Sequence, residues 1–122
     1  MITGSVNAYR DAVIRLTLLG TKGQTQEIDA VIDTGFNGSL TLPQATIDTL
    51  ELSWRSRGSS ILANGQVDEC DIYTAVVLWD GQKRPLLIEA TESDPLVGMR
   101  LMAGYRITIE NIDGGPVTLE KL

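Results

Sequence analysis

Apolar and polar residues alternate with a period of two through much of this chain, the spacing of strands with one buried face. Between Asp11 and Leu19, Ala12, Ile14, Leu16 and Leu18 share one face, while Val13, Arg15 and Thr17 share the other. Gly20-Thr21-Lys22-Gly23 then reads as a hairpin turn, and Gln24 to Ile32 as the returning strand. That turn lacks the Gly-Lys-Ser/Thr ending of a phosphate loop. The run Ala30-Val31-Ile32 is continuously apolar and ends on Asp33, with Leu40 to Leu42 as a short strand beyond. After Pro43, which suits a first helical turn, Ile47 and Leu50 sit on one face of a short helix.

Trp54-Arg55-Ser56-Arg57-Gly58 reads as a solvated loop, and Ser59 to Tyr73 as a hairpin turning at Asn64-Gly65. Its second arm carries Asp68, Glu69 and Asp71, so part of it stands in solvent and could serve as a lid. Thr74 to Trp79 and Arg84 to Ala90 form a further hairpin about Asp80-Gly81. Pro95-Leu96-Val97-Gly98 is a short apolar strand, and Met99 to Ala103 reads as one or two helical turns stopped by Gly104. Tyr105 to Glu110 and Val117 to Leu122 are strands around Asp113-Gly114-Gly115-Pro116, and Met1 to Arg10 is a polar segment suited to a sheet edge. The sum is about seven to nine short strands and at most two short helices: an all-β barrel or sandwich. With 122 residues, positions 1–122 make one domain.

Composition narrows the chemistry. The formal net charge of −6, with Lys and Arg scattered, argues against nucleic acid or an anionic membrane as partner. No apolar run is long enough to span a bilayer. The first ten residues lack a signal-peptide pattern, so the expected location is cytoplasmic. The chain has no histidine and a single cysteine, Cys70, flanked by Glu69 and Asp71. Ser-His-Asp and Cys-His catalysis are therefore excluded, no zinc-ligand spacing exists, and a Cys70 thiolate is disfavoured. Acid–base work falls to carboxylates, and no metal or cofactor is expected.

One carboxylate stands out. Asp33 leaves a strand directly into the turn Thr34-Gly35-Phe36-Asn37-Gly38, where glycine allows a tight bend and close ligand approach. Asp-Thr-Gly alone is an ordinary turn sequence. Here apolar residues precede it at Val31-Ile32, and a second signal, Leu96-Val97-Gly98 with a helical turn after it, follows far downstream. With the Asn64-Gly65 hairpin between them, the chain resembles the retroviral-type (retropepsin-like) aspartic proteases. The likeness is greatest to their small single-domain bacterial and archaeal members, and the order of elements matches along nearly the whole length.

The resemblance implies a closed acid-protease barrel that supplies half of an active site, completed by a homodimer. Each Asp33 would face its partner's Asp33, and the pair would share a proton and titrate together. One carboxylate would activate water while the other polarises the peptide carbonyl. Thr34 would lock the two loops across the twofold axis, and Gly35 would leave room for substrate. Phe36, Asn37, Ala63, Asn64 and Gly65 would contact substrate, the last three as a flap. Leu96, Val97 and Gly98 would support the catalytic loop, and Val117 to Leu122 would join an intersubunit sheet. Two positions depart from the pattern. Phe36 replaces a residue that is small in the retroviral enzymes and would narrow the cleft; Gly98-Met99-Arg100 replaces Gly-Arg-Asp/Asn. The function implied is an aspartic endopeptidase acting on peptide or protein; the alternative is a dimer of the same fold that binds peptides or proteins without cutting them. An aspartate that accepts phosphate would need a second acid, magnesium and a helix-rich chain, none of which is evident.

Overall fold

The computed structural model describes residues 1–61 and 64–122. The chain is all-β, with one sheet of ten strands and a single short helix among the described residues. In chain order the strands are β1 (Ile2–Val6), β2 (Ala12–Leu19), β3 (Thr25–Ile32) and β4 (Leu40–Leu42), followed by helix α1 (Gln44–Thr49). Then come β5 (Ser53–Ile61), β6 (Val67–Trp79), β7 (Gln82–Ala90), β8 (Leu96–Val97), β9 (Tyr105–Ile109) and β10 (Pro116–Lys121). Neighbours run in the order β5-β6-β7-β4-β8-β3-β2-β1-β10-β9, and β2 pairs in addition with β6 from Thr17–Leu78 to Leu19–Val76.

Period-two burial explains the core. On β2, Ala12, Ile14, Leu16 and Leu18 all turn inward, as the alternation requires. They meet Ile28 and Ala30 of β3, Val77 of β6 and Ile88 of β7 within one apolar cluster. Leu40 and Leu42 are completely buried, and helix α1 closes the cluster with Ile47, joined by Leu50 just past its end. Truncating a side chain such as Leu40 to alanine removes contacts that the surroundings cannot replace, about 2–5 kcal/mol in a well-packed core.

Four elements differ from the sequence reading. Trp54 to Gly58 is not a loop but part of β5, because its backbone pairs with β6 on either side of a bulge between Trp54 and Ser56. Polar side chains hide that strand from a hydrophobicity pattern. Cross-strand contacts stabilise it instead, Arg57 meeting Glu69 and Asp71 and the Trp54 Nε1 donating to Asp71. The acidic arm and Thr74–Trp79 form one continuous strand, β6. Met99 to Ala103 is a chain of turns rather than a helix. The amides of Met99 and Arg100 donate to the carbonyls of Phe36 and Gly38, and within the segment only single-turn bonds follow, Met102 to Gly98 and Ala103 to Arg100, before Gly104 turns the chain into β9. Finally, β1 lies inside the sheet between β2 and β10 rather than at an edge.

The termini of the sheet also matter. Strand β10 is paired on one side by β1 and on the other by β9, so both its edges are taken within the chain. Its ladder is shared with β1 from Pro116 to Leu119 and with β9 from Val117 to Lys121. β9 pairs with β10 alone and keeps one open edge.

Candidate active site

Asp33 is placed by a parallel pairing of β3 with β8, in which Val31 lies beside Leu96 and Ile32 beside Val97. The pairing continues past the strand end, where the Asp33 amide donates to the Val97 carbonyl at 2.9 Å. The carboxylate is half-buried, and its Oδ1 accepts the Gly35 amide at 2.9 Å. The Phe36 amide donates back to the Asp33 carbonyl at 3.2 Å, closing a tight turn. Thr34, Gly35 and Asn37 are exposed around it.

The segment after β8 grips this loop from below. Gly98, Met99 and Arg100 donate their amides to Ser39, Phe36 and Gly38 at 2.9, 2.8 and 3.1 Å. On β4, Leu40 pairs with Val97, and the Thr41 hydroxyl accepts the Leu96 amide at 2.9 Å. Five residues of one segment thus hold two elements of another; of those the sequence reading singled out, Leu96 and Val97 pair beside Val31 and Ile32, and the Gly98 amide donates to Ser39. Thr41 is a residue that reading overlooked. Thr41→Val is expected to leave the half-buried Leu96 amide without its hydroxyl partner and to cost about 1–3 kcal/mol, measurable by denaturant unfolding.

The ring of Phe36 is half-buried against two glycines. A Cβ at Gly98 would meet its Cδ2 at 2.6 Å, and one at Gly38 would meet its Cε1 and Cζ at 2.6 Å. The ring therefore packs against the support segment and is not among the residues lining the cleft beside the acid. That cleft, about 450 Å³, has Asp33 and Thr34 on one side and Arg10, Asp11, Ile109 and Asn111 on the other. The last four were not singled out from sequence. They are brought there by the β1–β2 connection and by the end of β9, and no local pattern marks them.

Of the flap residues, Asn64 and Gly65 form the exposed tip between β5 and β6. Gly65 has a φ of +85°, and Asn64 Oδ1 accepts the Gln66 amide at 3.0 Å. Neither lines the cleft beside Asp33. Ala63 lies outside the described residues. Among the described residues, no group of three His, Cys, Asp or Glu is placed to hold a metal ion, and no helix is long and apolar enough to cross a membrane.

A second cleft, about 320 Å³, lies on the far side of the same loop, between Gly38 and Ser39, the base of the β5–β6 hairpin at Ser56 and Ile72, and Leu87 and Glu89 of β7. Burial pushes the Glu89 carboxyl above the ordinary carboxylate range. The Cys70 thiol, also raised by burial and then by the charge of Glu89, donates to Glu89 Oε1 at 3.9 Å. A thiol held protonated in this way is a structural donor, not a nucleophile. Because the folded state holds the Glu89 proton more tightly than the unfolded chain, folding is favoured at low pH and stability falls as pH rises from the ordinary carboxylate range through the raised value. Glu89→Gln is expected to flatten that slope in thermal midpoints measured against pH.

Neither a scan against protein-family models nor a search of curated proteins finds a match to this chain.

Proposed function

We propose that the chain is one half of an aspartic endopeptidase of retropepsin-like fold, active as a homodimer. The observation that carries this reading is the way Asp33 is held. A half-buried carboxylate leaves the end of a strand into a glycine turn, faces an open cleft, and is braced by the amides of Gly98, Met99 and Arg100. The run of pairings β6-β7-β4-β8-β3-β2 returns to β6, which supports the closed barrel expected of that fold.

Only one Asp-Thr-Gly is present, so the catalytic pair requires a second copy. One Asp33 would take a proton from water while the protonated partner carboxyl donates to the peptide oxygen, and the roles would exchange as the amine leaves. Thr34 and Gly35, exposed at the tip of the loop, are available to the twofold contact and the substrate. The surface supporting that contact is the open edge of β9, with Ile109 at 41% exposure lining the Asp33 cleft and Ile112, at 65%, just beyond. Replacing both isoleucines by glutamate is expected to leave the fold intact and to weaken self-association by at least about tenfold. Sedimentation checks this, and unchanged association would move the interface elsewhere.

The function itself is tested by incubating wild type and Asp33→Asn with a diverse peptide mixture over acid to neutral pH and reading fragments by mass spectrometry. Cleavage by wild type alone supports the peptidase. Equal cleavage by both removes Asp33 from the chemistry, and silence from both favours a peptide-binding dimer.

A further inference from the structure

The second cleft carries a more specific message about substrate. Its position follows from strand register: Ser56 lies opposite Ile72, and Ile72 opposite Glu89, so the three form one row across β5, β6 and β7. Leu87 sits two residues before Glu89 on the same face of its strand. Gly38 forms the other wall, and its lack of a side chain is what admits the acid, since a Cβ there would meet Glu89 Oε2 at 2.5 Å. The result is a recess with apolar sides, Ile72 and Leu87, hydroxyls at Ser39 and Ser56, and a carboxylate against its floor.

That carboxylate is not ion-paired among the described residues, where its one polar side-chain partner is the neutral Cys70 thiol. Arg100 lines the same cleft but forms no ion pair with Glu89. A half-buried carboxylate without a cation is costly unless a ligand supplies one. A lysine or arginine side chain fits both halves of the recess, its methylene stem along Ile72 and Leu87 and its charge at Glu89. The wider field agrees: the chain carries a net charge of −6, and Asp68 on β6 adds to the negative potential felt at Cys70.

We propose that the Glu89 cleft is the subsite that reads a basic side chain, lysine or arginine, of an extended peptide lying between the β5–β6 hairpin and the Asp33 loop. This rests on the peptidase reading for the course of the peptide. A strand-like ligand presents alternate side chains to each wall, so the preference falls at one fixed position relative to the bond over Asp33. It is strongest where Glu89 is ionised and fades as falling pH protonates it, Cys70 and Arg100 being the other titratable groups facing the cleft.

The test uses the catalytically silent Asp33→Asn protein, so that binding is read without cutting. Degenerate octapeptide libraries with one position fixed as lysine, or as the uncharged norleucine, are scanned position by position for retention. At one position lysine is expected to be favoured about tenfold. Adding Glu89→Gln removes that preference, while norleucine retention is unchanged. Glu89→Lys reverses it toward a glutamate library. Equal retention of the lysine and norleucine libraries at every position, including none, overturns the proposal, as does a lysine preference that survives Glu89→Gln. Cleavage by the protein with Asp33 intact is read separately. A Glu89-dependent lysine preference without cleavage would keep this inference and reject the peptidase.

Discussion

Asp33→Asn is expected to lower peptide cleavage roughly a thousandfold or more, the scale of a lost acid–base group, while the protein stays folded. The local geometry supports the second half of that expectation. Oδ1 of Asp33 accepts the Gly35 amide, and an asparagine oxygen can do the same, so the turn keeps its bond. The carboxylate is half-buried and holds no ion pair among the described residues, so its charge is not a structural necessity. What is lost is the capacity to pass a proton. Mixing tests the shared site directly. If each active centre needs an Asp33 from both copies, adding Asp33→Asn protein in equal amount and allowing exchange leaves about a quarter of the dimers with two acids. Specific activity per wild-type chain then falls by about half. Activity that merely tracks the wild-type chains present would show that one copy suffices.

Gly98→Ala is expected to destabilise the fold strongly for a single added methyl group. A Cβ at Gly98 would fall on the Gly38 carbonyl carbon and oxygen and at 2.6 Å from the Phe36 ring. The carbonyl is backbone and cannot swing aside, because it already accepts the Arg100 amide, while Gly98 donates to Ser39 and Met99 to Phe36. Relief requires the support segment to move away from the loop, with the loss of one or more of those bonds. Overpacking of this kind costs about 1–3 kcal/mol, and each lost bond about 1 kcal/mol more. The expected result is a fall of roughly 10 °C in thermal midpoint, together with loss of activity as the seat of Asp33 shifts. Gly35→Ala is the contrast. Its Cβ would meet only Asp33 Oδ1, at 3.3 Å, so the fold should survive and any loss of activity would report on substrate or partner approach. A Gly98→Ala protein as stable as wild type would show that the loop does not depend on this contact.

The legible parts of this protein were those written in local pattern. Alternation on β2 names its inward residues because side chains on a strand must point to opposite faces. The Asp80-Gly81 turn and the helix after Pro43 were readable for the same reason: their conformations are set by a few neighbouring residues. Asp33 could be singled out because an acid at the end of an apolar strand, followed by a glycine turn, is a local conflict between burial and charge.

The rest depended on contacts distant in sequence. Strand β5 carries too few apolar residues to declare itself, and exists because β6 offers it a backbone ladder. Met99 to Ala103 has helical spacing but forms only turns, and its first amides are bonded to Phe36 and Gly38, more than sixty positions earlier. The open edge of β9 is a matter of which strands pair with which, and no single segment records that. Most of all, Glu89 reads in sequence as an ordinary charge in a strand. Packing places it against a bare glycine and a thiol, without an ion pair among the described residues. Local propensity chose the strands, the turns and the acid at the loop; tertiary pairing decided which edges stay open and which half-buried carboxylate has no ion pair among the described residues, since both depend on what other segments leave unsatisfied.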